Sequence, residues 1–280
     1  MTPRIELNLP NDDYHAMPQL SSTQIKDALR TPAHFYAKHR AVDKKSHAPT
    51  ATMLLGTVVH TLVLESDKFD SEYAISQKFD KRTKQGKLDA ELFSSINAHK
   101  TVIDDAIYTQ AQSMANSILR HPVARLLKLP SMIPEASIFY TDTETGLDCR
   151  IRPDYHLPPC EQFPHGLIVD LKTTDNASYG AFNRTIINFG YHISAAMYCD
   201  GFMQMYGTDE PPPFLWLIGE RDAPYAVICY QPNAETMAKG LADKNEALSI
   251  IADCENTGDW YGYPSDILDI NLPMWALNKD

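Results

Sequence analysis

Three residues in this chain have types and spacing suited to chemistry: Asp154, Asp170 and Lys172. They stand in the runs Arg-Ile-Arg-Pro-Asp154 and Ile-Val-Asp170-Leu-Lys172-Thr-Thr. Residues two apart on a strand point to one face, so Asp170 and Lys172 share a pocket if the Leu-Ile-Val run is a strand. Asp154 ends an earlier predicted strand and joins them if the two strands are neighbours. Such a set suits phosphodiester hydrolysis. Hard oxygen ligands hold Mg²⁺, and Asp154, Asp170 and the Leu171 carbonyl are candidates. A bound metal makes its water nucleophilic and takes up negative charge. Lys172 would orient that water or stabilise the charge building at phosphorus. Each residue also has a plainer reading, because an aspartate at a strand end is often a turn residue and a lone lysine is often solvated. Context favours chemistry, since Asp170 sits where an aliphatic residue would otherwise continue the core. His60 falls inside an apolar helix, where a buried structural histidine is the commoner outcome, although imidazole also binds metals and activates water.

The elements that must position these residues follow from periodicity. Residues 21–39 read as helix, started at Ser21 or Ser22 and interrupted or restarted at Pro32. Residues 42–50 are polar and read as a loop. Residues 52–65 form a strongly apolar helix on which Gly56 and His60, four apart, share a face. Residues 76–89 are basic, lack an apolar period and read as a flexible arm. Residues 91–129 read as one or two helices. The character then changes to β, with strands at 136–140 and 147–152 around a turn at 142–146. Pro158, Pro159, Pro164 and Gly166 mark 155–166 as a loop. Then come a buried strand at 166–171, helices at 179–188 and 190–206, a hairpin from 214–219 and 225–230, and an amphipathic helix at 233–255. One α/β domain spanning 1–280 is expected, mainly helical over 1–130 and sheet-centred over 131–280.

The 280 residues, 44% of them hydrophobic, suffice for one large core. Residues 1–11 hold no long apolar run and the longest apolar stretch is too short to span a bilayer, so a cytoplasmic protein without membrane contact is expected. The five cysteines form no CxxC pair, which argues against a zinc ribbon or disulfide framework. The net charge of −11 bears on nucleic-acid binding, but its distribution matters more. Residues 199–280 carry 14 acidic and 4 basic side chains. The spans 26–45 (Lys26, Arg30, Lys38, Arg40, Lys44, Lys45) and 78–87 (Lys78, Lys81, Arg82, Lys84, Lys87) are basic. These are solvated faces or a DNA footprint.

The ordered set Gly56-Thr-Val-Val-His60, Arg-Pro-Asp154, Asp170-Leu-Lys172-Thr173 and Ala-Ala-Met-Tyr198 resembles RecB-type PD-(D/E)XK nucleases, and among them the RecE (exonuclease VIII) nuclease-domain family. Leu20-Ser-Ser-Thr-Gln-Ile25 with Pro32, and Ile270-Asn-Leu-Pro273-Met-Trp275, extend the likeness over residues 13–277. The resemblance implies a PD-(D/E)XK core, a central mixed sheet flanked by helices. It implies His60, Asp154, Asp170 and Lys172 as catalytic positions. His60, Asp154, Asp170 and the Leu171 carbonyl would serve Mg²⁺, with Mn²⁺ as a substitute. Thr173, Tyr198, Lys81, Arg82 and Lys84 are the expected DNA contacts. The implied activity is 5′→3′ degradation of linear double-stranded DNA. It leaves 3′ tails for a single-strand annealing protein of RecT type, and a homo-oligomer, a ring-like tetramer, goes with it. Ser194 stands where the family usually has Gln, and Thr31 where some relatives have a cluster-ligating Cys. Two alternatives stay open: an endonuclease or single-strand nuclease using the same site, and a catalytically inactive DNA-binding relative.

Overall fold

The structure, a computed structural model, describes residues 1–41 and 50–272. The strands are Arg4–Glu6 (β1), Tyr73–Ser76 (β2), Thr101–Asp104 (β3), Ile133–Pro134 (β4), Ser137–Thr141 (β5), Asp148–Ile151 (β6), Tyr155–Leu157 (β7), Leu167–Thr174 (β8), Phe214–Glu220 (β9) and Val227–Tyr230 (β10). The helices are Asn11–Ala16 (α1), Ser22–Arg30 (α2), Pro32–His39 (α3), Ala51–Leu64 (α4), Phe69–Glu72 (α5), Lys84–Ile96 (α6), Asp105–Arg120 (α7), Tyr179–Phe189 (α8), Tyr191–Tyr206 (α9) and Ala234–Thr257 (α10).

Local chemistry sets most helix starts. The Ser21 N–H donates to Gln24 Oε1 at 2.9 Å as α2 begins. Pro32 occupies the first turn of α3 and Thr31 Oγ1 accepts the His34 N–H at 3.3 Å, so the expected break is a full restart. Thr50 caps α4 through the Met53 N–H at 3.2 Å, and Asn233 caps α10 through the Thr236 N–H at 2.9 Å.

The centre is a five-stranded mixed sheet in the order β10-β9-β8-β7-β4. The β8–β9 pair is parallel and the others antiparallel. Odd-numbered β8 residues Leu167, Val169 and Leu171 pack against α4 and α7 through Leu55, Val58, Val59, Met114 and Ile118. The opposite face packs Ile168, Phe214, Trp216 and Ile218 on Phe182, Cys199 and Phe202 of α8 and α9. A third core joins α2, α9 and α10 to the β5–β6 hairpin through Ile25, Met197, Leu248, Tyr140 and Ile151. The expected fold class, a central mixed sheet flanked by helices behind a mainly helical first part, holds. Among the described residues no helix is long and apolar enough to cross a membrane.

Several expected boundaries are corrected. The span 155–166 is not all loop, because Tyr155–Leu157 is strand β7 and pairs with both β4 and β8. Its three residues are buried, and that burial outweighs the flanking prolines. The basic arm at 76–89 is the end of β2, a short connection and the first turns of α6, capped by Thr83 through the Gly86 N–H at 2.9 Å. Within 91–129 a strand, β3, pairs in parallel with β2 between α6 and α7. The second strand of the closing hairpin begins at Val227, two residues later than expected. The loop expected at 42–50 falls, apart from Thr50, outside the described residues, as do Lys44, Lys45 and the end of the 270–275 run.

Helices α9 and α10 cross closely enough that a Cβ on Gly240 would stand 2.2 Å from the His192 carbonyl oxygen. Gly240→Ala is therefore expected to force the two backbones apart at a cost of about 1–3 kcal/mol, read as a lowered denaturation midpoint with an unchanged m-value.

Candidate active site

Strand β8 runs on to Thr174, while its partner β7 reaches only from Leu167 to Val169. The next residues therefore face a notch on the β7 side of the sheet. The registers Pro134↔Tyr155 and Tyr155↔Val169 bring the following residues level: Glu135 just past the end of β4, Asp154 just before β7, and Asp170 within β8. Asp154 does not end the β6 strand, as the sequence suggested. It opens β7, the true neighbour of β8.

The side chain of Asp154 fills the notch. Its Oδ2 accepts the Leu171 N–H at 2.5 Å, replacing the missing ladder partner. Its Oδ1 lies 3.6 Å from His60 Nδ1. Helix α4 brings His60 there from the Leu171 side. A Cβ on Gly56, one turn earlier, would lie 3.4 Å from Thr173 Oγ1, so that face of α4 rests on β8. The Tyr155 hydroxyl donates to the Leu64 carbonyl at 3.0 Å and ties the end of α4 to β7.

Asp170 and Lys172 share the other face, as their spacing predicts, and form a close ion pair. The carboxylate is nearly inaccessible, at 4% exposure. Burial pushes the Asp170 carboxyl above its ordinary pKa, with the Asp154 charge adding to it and Lys172 opposing it. Burial also works against the Lys172 ammonium, but Asp170 and Asp154 outweigh it and hold the amine protonated well above its usual range. Lys172 therefore carries its charge at neutral pH. Its Nζ also donates to the Leu171 carbonyl at 3.4 Å.

Burial, helped by the Lys172 charge, pushes the His60 pKa down to about 4. The imidazole is neutral at pH 7, the form that ligates metals. Ligand atoms of His60, Glu135 and Asp154 all lie within 4.8 Å of one another. One nitrogen and two hard oxygens fit a divalent cation of the Mg²⁺ or Mn²⁺ type.

Glu135 was missed by sequence reasoning. No periodicity marks it, since it sits in a bend between the two-residue strand β4 and β5. Its backbone has φ of 47°, a left-handed conformation rare outside glycine, and its N–H donates to the Asp154 carbonyl at 3.1 Å. Burial and the Asp154 charge raise its pKa to about 8. A raised carboxyl pKa means a proton is held at neutral pH, and a cation must displace it. Binding of Mg²⁺ or Mn²⁺ at pH 7 is therefore expected to release roughly one proton, tightening between pH 6 and 8. Calorimetry in buffers of different ionisation enthalpy reads this, and Glu135→Gln should abolish the release.

The other expected positions divide. Tyr198 stands between two cores, with burial raising its hydroxyl pKa and the charges of Asp170 and Asp154 acting on it. Thr173 is half-buried beside Gly56. Lys81, Arg82 and Lys84 lie on the α6 arm. Arg82 is paired to Asp80 at 2.9 Å, and among the described residues no hydrogen bond or ion pair links the three to the Asp154–Asp170 set. The structure does not bring them together with it. Of the basic span at 26–45, Lys38 and His39 both engage Asp27, and Arg40 engages Glu255 at 2.6 Å.

Residues 21–267 match the family described as "PDDEXK-like domain of unknown function (DUF3799)". The chain belongs to this PDDEXK-like family. Its fold is that of the PD-(D/E)XK nuclease superfamily. The crystal structure of a "Putative exonuclease" from Eubacterium rectale superposes with a TM-score of 0.56 at 15% identity, covering 98% of this chain and 99% of that one. The likeness supports the PDDEXK-like fold. A second structure, of the protein SSO0001, covers 69% of this chain and 85% of its own at 11% identity and a TM-score of 0.30. A search of curated proteins gave no match.

Proposed function

We propose that this PDDEXK-like protein is a Mg²⁺-dependent 5′→3′ exonuclease of linear double-stranded DNA, akin to RecE nuclease domains. The observation that carries the reading is the level row of Glu135 and Asp154, at the ends of β4 and β7, with Asp170 of β8, His60 standing on one side and Lys172 on the other. His60, Glu135 and Asp154 would hold the metal, with Asp170 and the Leu171 carbonyl beside them. When bound, the ion supplies Lewis acidity and a water of lowered pKa.

The chain's own residues do the rest. Neutral His60 keeps a nitrogen lone pair available. Asp154 is fixed by the Leu171 N–H through one oxygen and presents the other. Asp170 holds the Lys172 ammonium in place, and Lys172 donates hydrogen bonds to an oxygen of the scissile phosphate as negative charge builds there. Such preorganised donors are worth about 3–4 kcal/mol of barrier in comparable sites. A 3′ single-stranded product would feed an annealing protein of RecT type, and a ring-like homotetramer around the duplex would keep the enzyme on its track. Both belong to the same proposal.

The test uses purified protein with Mg²⁺ on linear duplex labelled at the 5′ or 3′ end, beside covalently closed circles. Early loss of the 5′ label with circles spared is expected. Cleavage of closed circles would replace the exonuclease by an endonuclease. No cleavage of any DNA with Mg²⁺ or Mn²⁺ would sink the reading. Light scattering reads the oligomer.

A further inference from the structure

Lys26 lies beside the site and plays no part in the mechanism above. It is half-buried on α2, and its Nζ donates to Ser194 Oγ of α9 at 2.7 Å. Ser194 Oγ in turn donates to Ser22 Oγ at 3.1 Å. The serine hydroxyl therefore spends its proton on Ser22 and its lone pair on Lys26. The lysine stem runs past Gly190, where a Cβ would stand 3.0 Å from both Cδ and Cε. Gly190 also has φ of 60°, so glycine serves both the turn between α8 and α9 and the passage of the stem. The Lys26 ammonium lies 6.0 Å from the centre of the Tyr191 ring and the Lys172 ammonium 5.3 Å from the same centre.

Two cations thus approach one aromatic ring. Lys172 has a carboxylate partner in Asp170. Lys26 has none within ion-pair distance among the described residues, although Lys38, His39 and Arg40 nearby all do. Burial and the Lys172 charge bring the Lys26 pKa down to about 8 against the opposing pull of Asp170 and Asp27, so the amine is still mostly protonated at pH 7 although neither carboxylate pairs with it directly. A half-buried ammonium held by one neutral oxygen, next to a second cation, is a poor resting place for charge and a good receptor for an anion.

We propose that Lys26, positioned by Ser194, binds a non-bridging phosphate oxygen of the nucleic-acid strand lying in the site. The inference rests on the nuclease reading and extends it to the substrate backbone. It also accounts for Ser194: too short to reach a phosphate itself, it aims a side chain that does.

The test is equilibrium binding of a short fluorescent duplex, in EDTA so that nothing is cut, over a range of NaCl concentrations. Each phosphate contact contributes a slope of about −0.9 in log K against log salt. Lys26→Met is expected to flatten the slope by about 0.9 and weaken binding roughly tenfold, the worth of one charge-assisted hydrogen bond. Lys26→Arg should keep the slope. Ser194→Ala should weaken binding severalfold without changing the slope, because the charge stays and its aim is lost. If Lys26→Met melts early, Lys26→Gln retains a donor for Ser194 without the charge and carries the same slope test. Wild-type slope and affinity in the neutral variants would overturn the proposal, and lowered melting with an unchanged slope would make Lys26 purely structural. These failures leave the nuclease reading standing if the wild-type protein still cuts duplex with Mg²⁺. Wild-type protein that neither binds nor cuts DNA would remove that reading instead.

Discussion

Asp170→Asn is expected to slow Mg²⁺-dependent hydrolysis by roughly several hundredfold, with substrate binding nearly intact. Asn is close in shape and keeps a carbonyl oxygen, but it supplies no charge. That charge grips the Lys172 ammonium and, in the proposed function, would also support a divalent cation beside Asp154. Loss of one preorganised charge-stabilising contact costs about 3–4 kcal/mol, and each 1.36 kcal/mol is a factor of ten in rate. Single-turnover cleavage of an end-labelled duplex reads the chemical step, and duplex binding in EDTA reads the rest. Cleavage by Asp170→Asn at the wild-type rate would remove Asp170 from the site.

Lys172→Ala is expected to impair stability as well as activity. The mutation leaves a carboxylate of 4% exposure without its counter-charge. Breaking a buried pair by removing one partner costs about 3–5 kcal/mol, and the lower end applies because Lys172 opens partly to solvent. For a chain of this size that is a fall in melting temperature of roughly 6–12 °C. The sign of the pH dependence follows from the carboxyl. With Lys172 gone, burial and Asp154 hold the folded-state Asp170 pKa above the unfolded value. The folded state then binds more protons than the unfolded one, so the penalty is full above the folded pKa and fades as pH falls towards the ordinary carboxylate range of about 4. Asp170→Asn added to Lys172→Ala should restore most of the stability and none of the activity. Thermal melts of the three variants between pH 5 and 8 check this. A Lys172→Ala protein as stable as wild type at pH 8 would mean that the pair contributes nothing to the fold.

The two stretches richest in chemistry were legible before any coordinates. Period-two alternation alone puts Asp170 and Lys172 on one face, and an aspartate directly after the Leu-Ile-Val run marks a departure from core building. The apolar helix carrying Gly56 and His60, the β5–β6 hairpin and the later helices follow from local patterns with physical causes: caps, turn residues and one-sided hydrophobicity. The strand β7 was hidden because three residues between prolines carry too little pattern. The first half of α6, from Lys84 to residue 90, was hidden because its opening turns are polar and basic, whereas its second half fell within the helical reading of 91–129.

Sequence alone marked Asp154, Asp170, Lys172 and His60, though not Glu135, as candidates for chemistry and determined which neighbours in the chain must face together, because alternation and capping act over a few residues. Tertiary structure alone decided the rest. Glu135 meets Asp154 across the β4–β7 register, and Asp154 meets Leu171 in a notch left by unequal strand lengths. Lys26 meets Ser194 across 168 residues of chain. The basic residues at 38–40 are neutralised by Asp27 and by the distant Glu255. The balance of charge at each of these points depends on strand register and helix packing, and no local pattern in the sequence encodes the distance between two elements that meet only after folding.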